Sequence, residues 1–210
     1  MITRFMEKAL IARSKKLPAI AILGPRQSGK TTLAQKAFPQ HTYINLEDLK
    51  NRQFAQEDPY AFFKTYANEY GIILDEIQEV PSLLSYIQVR VDQEQKPGYF
   101  ILTGSQNFLV NEAINQTLAG RISLFTLLPL SIRELQQASL LPVTIEELIF
   151  KGQYPRLYSS NLNSMEMYPD YIRTYIERDI RSLKNIMDLS VFQKFIGLCA
   201  GRIGQLLNMT

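Results

Sequence analysis

Between Ile22 and Thr32 the chain reads ILGPRQSGKTT, and this run restricts the fold more than any other. The apolar stretch before it, PAIAIL from Pro18 to Leu23, has the length and composition of a strand buried on both faces. The stretch after it, TTLAQKAF, has helical period, so a strand must pass through a glycine-punctuated turn straight into a helix. The spacing Gly-x-x-x-x-Gly-Lys-[Ser/Thr] is met by Gly24, Gly29, Lys30 and Thr31. In such a turn the glycines let main-chain N–H groups converge on one point, and the helix aims the positive end of its dipole there. The motif therefore predicts a nucleotide's phosphates held by Gly24, Pro25, Arg26, Gln27, Ser28, Gly29, Lys30, Thr31 and Thr32. Lys30 reaches the β and γ phosphates, and the Thr31 hydroxyl serves Mg²⁺.

Short apolar runs recur along the chain at Tyr43–Leu46 (YINL), Gly71–Leu74 (GIIL), Tyr99–Leu102 (YFIL) and Ile122–Leu128 (ISLFTLL). Segments of helical period separate them, such as Ser82–Val91, where Leu83, Leu84, Ile87 and Val91 share a face. Alternation of this kind predicts an α/β fold: a parallel five-stranded sheet with helices on both faces, as in P-loop NTPases, followed by a small α-helical segment. The N-terminal MITRFMEKALIARSKK has Ile2, Phe5, Met6, Ala9 and Leu10 at helical spacing, which reads as an amphipathic helix packed on the domain and not as a targeting peptide.

A second group stands in GIILDEIQEVP, where Asp75 and Glu76 follow an apolar strand. A carboxylate at the carboxyl edge of a central parallel strand lies beside the phosphate turn, so Asp75 is the expected second Mg²⁺ group, acting through water. Glu76, directly after it, is placed to orient or deprotonate a water attacking the γ-phosphate, a role that a small-molecule kinase does not need. The third strand end, YFILTGSQN, carries Thr103, Ser105 and Asn107. Ser105 is the expected contact to the γ-phosphate or water, against the alternative of an ordinary glycine turn before the next helix. No Asn-Lys-x-Asp guanine-reading sequence occurs, so ATP is the expected nucleotide.

Composition narrows the remaining classes. A formal net charge of +3 is too small for wholesale nucleic-acid tracking, which needs a concentrated basic stripe. No apolar run approaches the roughly eighteen residues of a membrane-spanning helix. The single cysteine, Cys199, excludes an intrachain disulfide and fits a reducing compartment, with the cytoplasm as the expected location. His41 has no second ligand at metal-binding spacing and reads as a residue preceding a strand.

Taken in order, GPRQSGKTT, ILDEIQEVP, LTGSQ, LAGR and FTLLPLSIRE resemble the motifs of P-loop ATPases of the AAA+ group, and more closely a bacterial and archaeal branch of it. The resemblance covers Leu23 to Glu134. It implies ATP and Mg²⁺ as cofactors, ATP hydrolysis as activity, and for Arg121 of LAGR a role on a neighbouring subunit's γ-phosphate. A helix-ending glycine followed by a locally paired arginine remains the alternative there. Arg133, Arg156 and Arg178 are lesser candidates, and no second arginine-bearing sensor helix is evident, so a ring is not implied.

Beyond Pro142 a Gly, Pro, Ser and Asn-rich connection reads as a junction, giving an ATPase domain over 1–160 and the start of a helical domain over 161–210. Met165–Leu183 is expected as a helix with one apolar face and with Arg173, Glu177, Arg178 and Arg181 on the other. Those charges suit a solvated ion pair or, alternatively, a nucleic-acid surface. Ser190 and Gln193 have capping-box spacing before a last helix, on whose apolar stripe Cys199 is expected to pack. In the resembling ATPases this part opens a C-terminal domain with winged-helix and nuclease-like portions. Self-association, an unidentified protein partner and DNA are left open, as are two variants of the function: a slow ATP-bound switch, and a DNA-binding regulator using the ATPase core as scaffold.

Overall fold

The computed structural model describes residues 2–105, 108–160, 162–175 and 189–206. They fall into two compact units, Met1–Ser160 and Asn161–Thr210. The first unit runs α1 (Met6–Ser14), β1 (Ala19–Gly24), α2 (Lys30–Ala37), β2 (Thr42–Asn45), α3 (Leu49–Glu57), α4 (Pro59–Tyr66), β3 (Ile72–Asp75), one 3₁₀ turn (Ile77–Glu79), α5 (Leu83–Glu94), β4 (Phe100–Ser105), α6 (Phe108–Leu118), β5 (Ile122–Thr126), α7 (Ile132–Gln137), α8 (Ile145–Lys151) and α9 (Arg156–Ser159).

The strands form one sheet in the order β2-β3-β4-β1-β5, and all pairings are parallel. Alternation along each central strand explains why both faces are apolar. Ala19, Ala21 and Leu23 of β1, Ile72 and Leu74 of β3, and Phe100 and Leu102 of β4 enter one core cluster, under α3 to α6. Ile20, Ile22, Ile73 and Ile101 enter the other, against α1 and α2. A three-layer α/β/α sandwich results, as the strand pattern predicts. The last strand is shorter than Ile122–Leu128: Leu127 still donates its N–H to the Leu23 carbonyl at 2.7 Å, then the chain turns off the sheet. The N-terminal helix buries less than its spacing suggests, with Leu10 fully enclosed but Phe5 and Ile11 exposed.

This strand order brings the carboxyl ends of β1, β4 and β3 side by side, so the turns after them share one edge. β4 lies between the other two, and its side chains can therefore bridge them.

The second unit holds α10 (Ser164–Tyr175) and α11 (Leu189–Ala200). Ser190 lies within α11, and the residues just before that helix lie outside the described ones. Cys199 is exposed, not packed, together with Val191, Phe195 and Leu198. Ile176, Glu177, Arg178, Ile180, Arg181 and Leu183 lie outside the described residues. Among the described residues no helix is long and apolar enough to cross a membrane.

Candidate functional site

The turn from β1 to α2 is shaped by two glycines with different duties. At Gly24 a Cβ would stand 2.2 Å from the Leu127 carbonyl oxygen, so only hydrogen fits where the turn passes the end of β5. Gly29 has φ +92, a left-handed conformation that side chains disfavour, and it caps α2 without a side chain. The first N–H groups of α2 consequently have no side-chain acceptor. Lys30 is buried, and its Nζ donates to the carbonyls of Gly24 at 3.2 Å and Pro25 at 3.0 Å, folding the ammonium over the turn.

Asp75 closes β3 and collects three hydroxyls. Thr31 Oγ1 donates to Oδ1 and Oδ2 at 3.0 and 2.9 Å, Tyr43 of β2 donates to Oδ2 at 2.8 Å, and Thr103 of β4 donates to Oδ1. Burial pushes the Tyr43 hydroxyl well above its ordinary pKa, and the hydrogen bond to Asp75 with that carboxylate's charge adds to the rise. Tyr43 therefore remains a donor. Thr103, the neighbour of Ser105 in the predicted trio, holds the carboxylate; Asn107 lies outside the described residues.

Glu76 follows in the left-handed region at φ 58, ψ 53, a conformation uncommon outside glycine and asparagine. One of its oxygens, Oε2, accepts from Gln78 Nε2, and Gln78 Oε1 accepts from the Ser105 N–H at 3.3 Å. The Ser105 and Ser28 hydroxyls are both buried without a hydrogen-bond partner. Two orphan hydroxyls, one in the phosphate turn and one at the end of β4, are the kind of unmet polar capacity that a bound ligand satisfies. Beside Gly29 opens a cleft lined by Ile2, Thr32, Leu33, Leu130 and Pro155.

A family model described as "AAA domain" matches residues 16–136, which hold every strand of the sheet, the phosphate turn, Asp75, Glu76, Thr103 and Ser105. The chain belongs to that AAA domain family. A second match, to a domain of unknown function (DUF8612), spans 143–210, and so begins before the division of the chain into compact units at Ser160. Uncharacterized proteins of Mycobacterium bovis and Mycobacterium tuberculosis are 28% identical over 197 residues, covering 91% of this chain and 42% of each relative. The chain thus spans less than half the length of these curated relatives. Among solved structures, a Walker-type ATPase of Pyrococcus abyssi has TM-score 0.52 at 17% identity, covering 88% of this chain and 75% of that one. A STAND signal-transduction ATPase with a tetratricopeptide-repeat sensor from Pyrococcus horikoshii has TM-score 0.51 at 18% identity, covering 84% and 32%. At these identities the likeness is one of fold.

Within the AAA domain, Arg121 stands apart from the other candidates. Its carbonyl accepts from the N–H of Ala19 at the first residue of β1, whereas Gly24 is the last residue of that strand. Its guanidinium pairs with Asp92 at 2.5 and 3.0 Å on the surface, the local pairing that was the alternative reading. Arg133 lies in α7 and Arg156 in α9.

Arg4, given no site role in the sequence, anchors the phosphate turn, held in turn by Glu134, the last residue of FTLLPLSIRE. Arg4 is buried, and it donates to the Ser28 carbonyl at 2.7 Å, to the Leu128 carbonyl at 2.6 Å and to Glu134 Oε1 at 3.0 Å. Glu134 completes a capping box with Ser131 at the start of α7 and also accepts from the Phe5 N–H at 2.8 Å. Burial pushes the Glu134 carboxyl up, but the Ser131 and Phe5 amides and the Arg4 guanidinium outweigh it and hold the pKa below its ordinary value. Arg4 precedes the matched AAA segment, and its one sequence signal was a basic residue within an apolar helical pattern.

Proposed function

We propose that residues 1–160 bind and hydrolyse ATP with Mg²⁺ and change conformation as they do so, and that residues 161–210 open a separate helical domain. The observation that carries this reading is the contact between Thr31 and Asp75, a hydroxyl in the first turn of α2 and a carboxylate at the end of β3, set beside an amide-lined turn. Thr31 Oγ1 stands 2.9 to 3.0 Å from the Asp75 oxygens, so a hydroxyl and a carboxylate, the hard oxygen donors that suit Mg²⁺, converge at one point. The residues therefore fit the ion. Among the described residues no group of three or more His, Cys, Asp or Glu stands together. Thr31 would hold the ion by its hydroxyl and Asp75 through water, together with phosphate oxygens, as suits magnesium at a nucleotide. Bound there, Mg²⁺ would neutralise charge on the β and γ phosphates.

The chain's own groups supply the remainder. The turn amides from Arg26 to Thr32 and the start of α2 receive phosphate oxygens. Lys30 exchanges its loop carbonyls for the β and γ phosphates, so nucleotide binding unlocks the turn from itself. The cleft by Gly29 takes the base and ribose against Ile2, Leu33, Leu130 and Pro155. Glu76 accepts the proton of the attacking water, with Oε1 facing it and Oε2 held by Gln78. Ser105 uses its unpartnered hydroxyl on the γ-phosphate or that water.

Glu76→Gln keeps size and hydrogen bonding but removes the base. It is expected to bind Mg·ATP as the wild type does and to hydrolyse it slower by about 10² or more. Calorimetry together with phosphate release measures both, and unchanged turnover would remove Glu76 from this role.

A further inference from the structure

We propose that Gln78 is a positioning residue: its side-chain amide locks the Glu76 carboxylate to the end of β4 and ties the water-orienting group to the strand that carries Ser105. This rests on the hydrolytic reading above and names the device that aims its base.

The amide is engaged at both ends. Nε2 donates to Glu76 Oε2, and Oε1 accepts from the Ser105 N–H at 3.3 Å. The two bonds fix which end is nitrogen, because the reversed amide would set its oxygen against a carboxylate and its NH₂ against an N–H. The chain has also made room for it. A Cβ on Gly104 would stand 2.6 Å from Gln78 Oε1 and 3.4 Å from Ile77 Cγ2. Gly104 is absent from the residues of positive φ, so the backbone does not call for glycine there. What calls for glycine is the Gln78 amide lying across β4 at that residue.

One chemical consequence follows for Glu76: a donor on Oε2 leaves Oε1 as the oxygen able to meet a water. Glu76 sits in a left-handed conformation with a flexible side chain, so it needs an external tether to hold one rotamer. Any shift of the Ser105 peptide is passed to Glu76 through a single rigid amide.

The test compares wild type, Gln78→Ala, Gly104→Ala and the double variant by steady-state hydrolysis, Mg·ATP calorimetry and thermal denaturation. Gln78→Ala and Gly104→Ala are each expected to lower kcat about tenfold or more, while the Kd for Mg·ATP stays within about twofold. The double variant falls no further than the worse single one, since both cut the same link. A residue that only supported the fold would lower thermal stability and affinity together, with no loss of kcat at unchanged Kd. That pattern, or a kcat for Gln78→Ala within about twofold of wild type, overturns the proposal while leaving the hydrolytic reading standing. Wild-type protein that binds no Mg·ATP or releases no phosphate overturns both.

Discussion

Asp75 shows what a motif conveys and what it omits. Its place at the end of an apolar strand marked it in the sequence, and the phosphate turn was legible from glycine spacing alone. Its partners were not, because Tyr43 and Thr103 reach it only through the strand order, with β4 and β2 flanking β3. Spacing along a chain does not encode which strands become neighbours. Thr103→Val removes one donor from a buried carboxylate without changing shape. It is expected to cost about 1 to 2 kcal/mol of stability and to raise the Mg²⁺ concentration needed for half-maximal hydrolysis by about tenfold or more. Urea unfolding and a magnesium titration measure the two. A second residue effect is set by His41. Its Nε2 bonds the Gly98 carbonyl at 2.8 Å, while Nδ1 is buried with no partner, and burial holds its pKa below the ordinary 6.5 despite that bond. The unfolded chain takes a proton at 6.5 that the folded chain refuses. This contribution to stability is full above that pH, and it is lost as pH falls from there to the lowered value, by at most about 1.4 kcal/mol per unit for one proton. Unfolding at pH 7.5 and 5.5 checks it: His41→Gln should lose less stability between the two than wild type does.

Elements were read well where both faces are buried, since a continuous apolar run admits few alternatives. All five strands fall within a few residues of the runs that announced them, and the helix expected at Ser82–Val91 forms as α5, Leu83–Glu94. The expected N-terminal helix forms and packs through Leu10 and Met6, but its apolar spacing did not disclose Arg4, whose guanidinium fastens the segment before α1 to the phosphate turn and to α7. The side chains of Arg4 and Glu134 are 10% and 6% exposed, so loss of one strands the other in a poor solvent. Arg4→Met is expected to destabilise the protein by about 3 to 5 kcal/mol, and Glu134→Gln added to it should recover part of that loss, the signature of a coupled pair. Release of the Ser28 carbonyl should weaken Mg·ATP binding as well, even though Arg4 is predicted to touch no phosphate. Denaturation of the two single variants and the double, with calorimetry on each, tests the pair. Glu134 adds a lower pH window: its pKa is depressed, so its contribution is present above the ordinary 4.5 and fades as pH falls through the folded value.

At the scale of the whole molecule, the place of Arg121 in the sheet decides where it could act. β1 separates the Arg121 end of the sheet from the phosphate turn by five residue steps, from Ala19 to Gly24. At the usual rise that is about 16 Å, more than an arginine side chain spans, so Arg121 cannot reach a phosphate held by its own Lys30. If it acts in hydrolysis it acts on a neighbouring copy, after leaving Asp92. An exposed pair of this kind is readily exchanged, because solvent screens it and two surface side chains lose freedom in holding it. Specific turnover should then rise with protein concentration, and Arg121→Ala should flatten that rise without changing Mg·ATP affinity. Mixing is the decisive arrangement. Glu76→Gln protein has an inert site but retains Arg121, and Arg121→Ala protein has a sound site but lacks the arginine. Together they should hydrolyse ATP faster than the sum of the two alone, because heterologous contacts place an intact arginine against an intact base. A mixture whose rate equals that sum would restrict Arg121 to its surface pair with Asp92 and make each chain's site sufficient by itself.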